Sequence, residues 1–107
     1  MSDVKLIDLS EAPAEGEAKR VDIVHPMTEY PSRLSIYFYK NRYFVITDTC
    51  KECGASLALG EVRSPFVICS GHEHPWNFKT GLLKYDRTNS LPVYRVHVRD
   101  DGIYIEI

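Results

Sequence analysis

Residues 50–81 read CKECGASLALGEVRSPFVICSGHEHPWNFKTG, and they hold all three cysteines and two of the four histidines of the chain. Cys50 and Cys53 form a C-x-x-C pair. After fifteen intervening residues, Cys69 and His72 form a C-x-x-H pair. Each pair lies in a short, turn-rich loop. Two loops carrying two soft donors each can close four ligands around one metal centre once the fold brings them together. Cys50, Cys53, Cys69 and His72 are therefore the candidate ligands. The competing reading makes the cysteines small buried apolar residues and His72 a surface histidine. Paired spacing in both loops favours the metal.

The rest of the composition narrows the setting. A chain of 107 residues suggests one domain with a modest core, which a metal joining two loops would staple. Lys plus Arg is 13 against 15 for Asp plus Glu, a formal charge of −2. There is no basic stripe of the kind nucleic-acid binding uses, so no nucleic-acid partner is expected. No apolar run approaches the ~20 residues needed to span a bilayer. Residues 1–20 are too polar for a signal peptide. The expectation is a cytoplasmic protein with no membrane partner, a monomer or weak oligomer. An odd number of cysteines in a reducing compartment reads as metal ligation or redox chemistry rather than a disulfide framework.

Outside the central stretch the pattern is that of strands. Residues 4–9 alternate weakly. Residues 10–18 carry Pro13 and Gly16 and read as a solvated loop with at most one helical turn capped by Ser10. Residues 19–25 show period-two patterning up to Pro26. Residues 26–33 contain two prolines and read as a loop. Residues 34–39 and 43–48 are rich in β-branched and aromatic residues. Lys40-Asn41-Arg42 between them is a hairpin signal, with Asn41 suited to the left-handed region. Tyr37, Phe38, Tyr39, Tyr43 and Phe44 read as cross-strand pairs and core rather than a base-stacking platform.

Within the central stretch, residues 57–61 read as a spacer packing under the loops. Residues 65–69 form a short strand delivering the second ligand pair, and Trp76 and Phe78 share one face of another. Residues 91–99 alternate as one strand, and Asp100-Asp101-Gly102 turns into a closing strand over residues 103–107. The fold class is all-β, with small antiparallel sheets and a two-loop metal-binding subdomain over about residues 48–82 of a single domain 1–107.

Taken together these motifs resemble the small Rieske-type ferredoxins over residues 34–107. That family has C-x-H in its first loop and C-x-x-H in its second, then a Thr-Gly turn, a Leu-Pro-x-Tyr-x-Val strand and an Asp-Gly-x-Tyr hairpin. Cys50, Cys69 and His72 stand in place here, with Gly54 and Leu57 near the first-loop positions. Thr80-Gly81, Leu91-Pro92-x-Tyr94-x-Val96 and Asp101-Gly102-x-Tyr104 also fit. The resemblance implies a Rieske-like fold and a [2Fe–2S] cluster, with Cys50 and Cys69 on one iron and His72 on the other. It also implies an electron carrier or redox subunit rather than a catalyst, with a reductase, an oxygenase or a reductase subunit as partner.

The chain departs from the family at one ligand. Glu52 replaces the first-loop histidine, and a cysteine follows it. Carboxylate is a hard donor poorly matched to sulfide-bridged iron, so Cys53 is the expected fourth ligand. Three thiolates and one imidazole make the centre one charge more negative than a two-histidine one, and its potential is expected to fall. His74, two residues beyond His72, is a competing ligand candidate, but the C-x-x-H spacing favours His72 and gives His74 the more ordinary role of a group behind the ligands or on the surface. His25 and His97 lie on strand patterns and read as structural. C-x-x-C with C-x-x-H also suits a single Zn²⁺ or iron ion, which would make the protein a binding module. A third possibility is a Rieske-like redox-enzyme subunit without a cluster.

Overall fold

A computed structural model of the protein describes residues 3–24, 29–50, 54–69, 74–84 and 86–106. In chain order the strands are β1 (Asp3–Ile7), β2 (Ala18–Val24), β3 (Pro31–Tyr39) and β4 (Arg42–Thr47). The central region adds β5 (Glu61–Arg63), β6 (Phe66–Ile68), β7 (Pro75–Asn77), β8 (Leu82–Leu83) and β9 (Asp86–Ser90). The chain then runs through β10 (Val93–Tyr94), β11 (Val96–Arg99) and β12 (Gly102–Glu106). Two 3-10 turns, Leu9–Glu11 and Leu57–Leu59, are the helical segments among the described residues. None of the described residues form a helix long and apolar enough to cross a membrane.

Three antiparallel sheets result, ordered β1-β12-β11, β10-β4-β3-β2 and β5-β6-β7-β8-β9. The aromatic hairpin β3–β4 is the centre of the middle sheet. Lys40 and Asn41 both take positive φ at its tip, and Tyr39 pairs with Arg42, so the turn is a two-residue one of the kind that matches strand twist. Period-two alternation gives this hairpin two buried faces. Leu34, Ile36 and Val45 pack with Leu6, Ile7, Ile103 and Ile105 on one side. Tyr37 and Ile46 face the other side, among Cys50, Leu57, Val67, Cys69, Trp76, Phe78, Leu83 and Leu91. The middle sheet is thus a wall between an apolar core under the terminal strands and a second core under the ligand loops.

The aromatics behave as cross-strand pairs and core. Phe38 and Tyr43 are register partners with ring centroids 4.7 Å apart. Tyr37 stacks on Phe78 at 4.7 Å and an interplanar angle of 5°. The Tyr37 hydroxyl donates to Ser35 Oγ at 2.9 Å, and burial pushes its pKa well above the ordinary tyrosine range.

Two sequence expectations need correction. Residues 31–33 are strand rather than loop: Pro31 opens β3, where a missing N–H is tolerated, and pairs with Val24. Residues 91–99 form two strands rather than one. Val93 and Tyr94 pair with Ile46 and Val45 of the middle sheet, whereas Val96 to Arg99 pair with β12 of the first sheet. The side-chain alternation runs on through Arg95 while the hydrogen-bonding partner changes.

Candidate metal centre

The first ligand loop leaves β4 at Asp48. This carboxyl group is fully buried. It accepts the Ser56 hydroxyl at 2.5 Å and the Ala58 N–H at 2.9 Å. The Leu57 N–H donates to the Asp48 carbonyl at 2.7 Å. One residue thus ties the outgoing and returning arms together and satisfies donors that burial would otherwise orphan. Between the arms, the Cys50 N–H donates to the Ala55 carbonyl at 2.9 Å and the Gly54 N–H to the Cys50 carbonyl at 2.8 Å. Gly54 takes φ +77°, a region that glycine enters without steric cost. Leu57 is fully buried beneath the loop, as its spacer segment was expected to be, but Leu59 of the same segment is 73% exposed.

The second loop is the mouth of the hairpin β6–β7. Its register runs Phe66↔Asn77, Val67↔Trp76, Ile68↔Pro75. The next pair in that register is Cys69 with His74, and the Cys69 N–H donates to the His74 carbonyl at 3.1 Å. Cys69 and His74 therefore face one another where the hairpin opens. Gly60 keeps the two loops close: a Cβ at that position would collide with the Ile68 carbonyl, one residue before Cys69.

The fold brings Cys50 and Cys69 together from separate loops, both buried. His74 joins them directly, its Nδ1 lying 3.7 Å from the Cys50 sulfur and 3.5 Å from the Cys69 sulfur. All three donor atoms lie within 4.8 Å of one another. Cys53 and His72, the other two expected ligands, lie outside the described residues, as do Glu52 and His25. His97 lies on β11 of the first sheet, with Nε2 3.2 Å from Glu106 Oε2.

Sulfur is a weak hydrogen-bond acceptor when protonated and a stronger one as thiolate. Two donors are aimed at the sulfurs here. The indole N–H of buried Trp76 reaches the Cys50 sulfur at 3.2 Å, and the backbone N–H of His74 reaches the Cys69 sulfur at 3.4 Å. Outer donors of this kind orient and stabilise thiolate ligands. Two such sulfurs with an imidazole make a soft donor set that fits iron or zinc. The approach of His74 was legible in one signal: reading residues 66–77 as a hairpin centred between 71 and 72 sets 69 opposite 74. The Trp76 contact joins this hairpin to the first loop, a relation that sequence spacing does not carry.

No family model matches the chain, and no curated protein does. Solved structures do. One is a chain of the complex of reduced oxygenase and oxidized ferredoxin in carbazole 1,9a-dioxygenase, 25% identical at TM-score 0.76, covering 96% of this chain and 91% of that one. Another is the Sphingomonas yanoikuyae B1 ferredoxin, 20% identical at TM-score 0.82, with 99% of each chain covered. A third is a 2-oxoquinoline 8-monooxygenase component with a Rieske [2Fe–2S] centre, 17% identical at TM-score 0.81; the match spans 96% of this chain and 25% of that one. With its three small antiparallel sheets and its two cysteines delivered by facing loops, the chain has the Rieske-type ferredoxin fold.

Proposed function

We propose that the protein is an iron–sulfur electron carrier of the cytoplasm, holding a [2Fe–2S] cluster between its two loops and exchanging electrons with a redox partner. The observation that carries this reading is the meeting of buried Cys50 and Cys69, from different loops, on a Rieske-type ferredoxin fold. Cys50 and Cys69 would hold one iron. His72 and Cys53, from the two loops, would complete the set within residues 48–82. When bound, such a cluster takes up and returns one electron.

The chain's own residues then have plain roles. Trp76 and the His74 backbone N–H hold negative charge on the two sulfurs through their hydrogen bonds. Asp48 fixes the arms of the first loop. Leu57, Val67 and Phe78 keep water from the buried side of the sulfurs. The ferredoxin found in a complex with its oxygenase supports a partner of the same kind: an oxygenase, a reductase or a reductase subunit.

Protein purified without oxygen tests the reading. Two irons and two acid-labile sulfides per chain, with a paramagnetic signal on one-electron reduction, are the expected result. A colourless protein without sulfide after anaerobic reconstitution with iron and sulfide overturns it.

A further inference from the structure

His74 Nδ1 lies from both sulfurs at separations that a single ion explains. Zinc-class ions hold sulfur at about 2.3 Å and imidazole nitrogen at about 2.0–2.1 Å in tetrahedral sites, so a sulfur–nitrogen edge of that tetrahedron is about 3.6 Å. The two edges from His74 Nδ1 are 3.5 Å to Cys69 and 3.7 Å to Cys50. A bridged two-iron unit has no room for this trio on one iron, because two sulfides and two thiolates already fill that iron's four corners. The backbone of His74 is also held, through the hydrogen bonds that close the hairpin mouth, so its Cα stands beside the two sulfurs before any ion arrives.

We propose that the cluster-free protein binds one zinc-class divalent ion through Cys50, Cys69 and His74. The fourth corner is left for water or a further donor. This gives the chain a second metal form, competing with cluster assembly for the same two sulfurs. It needs His74, whereas the cluster reading needs His72, and it stands whether or not a cluster forms.

Cobalt(II) reports the geometry directly. Chelator-stripped full-length protein, kept reduced and oxygen-free, is titrated with Co²⁺ alone and then with Zn²⁺. The expected result is an intense visible spectrum of four-coordinate cobalt with a thiolate charge-transfer band, saturating at one equivalent and bleached by Zn²⁺. In His74→Ala, Co²⁺ affinity should fall by at least about tenfold. His74→Cys should restore the four-coordinate spectrum with a stronger charge-transfer band. Circular dichroism of each metal-free variant separates loss of a ligand from loss of fold.

A weak six-coordinate spectrum in the wild type overturns the proposal. So does a His74→Ala variant that is folded and binds as tightly as wild type. These results leave the cluster reading untouched, since iron and sulfide content decides that one separately.

Discussion

The indole N–H of Trp76 donates to the sulfur of Cys50 at 3.2 Å, so a buried ring on the strand leaving one cysteine loop touches the cysteine of the other loop. A donor aimed at a ligand sulfur stabilises the more negative, reduced state. Trp76→Phe keeps most of the buried ring and removes only the N–H. One net hydrogen bond of about 1 kcal/mol corresponds to roughly 40 mV for a one-electron couple. In cluster-loaded protein the midpoint should therefore fall by about that amount in a redox titration. An unchanged or higher midpoint would show that the contact does not act on the metal.

Cys53 as the fourth ligand makes a separate prediction. Three thiolates and one imidazole should give a midpoint below the range of about −150 to +300 mV of two-histidine centres, toward the roughly −400 mV of all-cysteine ones. With one bound histidine able to lose its outer proton, the alkaline slope should not exceed one proton per electron. Cys53→His, which exchanges the thiolate for a neutral imidazole, should raise the midpoint. A wild-type midpoint well within the upper range, or a two-proton slope, contradicts three-thiolate ligation.

Asp48 is fully buried and accepts from two part-buried donors. Asp48→Ala leaves the Ala58 N–H and the Ser56 hydroxyl without this acceptor. A cost of about 2–3 kcal/mol is expected in a urea titration of the metal-free protein, with an unchanged m-value. Ser56→Ala removes one hydrogen bond only and should cost less.

Gly60 and Gly54 flank the same loop but should fail differently. Alanine at Gly60 meets the Ile68 carbonyl, so the two loops must move apart. Alanine at Gly54 meets nothing within 4 Å and carries only the backbone strain of φ +77°, about 1–2 kcal/mol. Gly60→Ala should therefore lose more stability and more metal affinity than Gly54→Ala. Equal losses of both in the two variants would refute the close-approach argument.

Acid should act on the turn before β12. The Tyr104 hydroxyl donates to Asp101 at 2.9 Å, and this bond, with Lys5 nearby, holds the Asp101 carboxyl below its ordinary pKa. A carboxyl whose folded pKa is depressed contributes stability above its unfolded value of about 3.9 and loses it as pH falls through the lower folded value. The gap in urea midpoint between wild type and Asp101→Asn should be open at pH 6 and close below about pH 4. A gap that stays constant down to pH 2 would rule out the charge as its source.

The parts of the fold that were legible share one property: they follow from local pattern. The hairpin tip at Lys40-Asn41, the Trp76 and Phe78 face and the placing of Leu57 under the loops all depend on residues within a few positions of one another. The splitting of residues 91–99 between two sheets does not. Alternation says which way Val93 and Val96 point, but not whether Ile46 or Ile105 lies beside them. At the metal centre the same limit applies. The spacing of C-x-x-H selects His72, whereas the closing of the β6–β7 hairpin brings His74 to the sulfurs, and only pairing across the strands reveals that.

The two-faced hairpin β3–β4 divides the interior, and the division sets which half answers to metal. Stripping a bound metal should withdraw support from the compartment holding Cys50, Cys69 and Trp76 and leave untouched the one holding Ile103 and Ile105. Amide hydrogens of β6 and β7 should then exchange with deuterium sooner, while those of β12 keep their pace, so the protein would loosen by halves rather than as a whole.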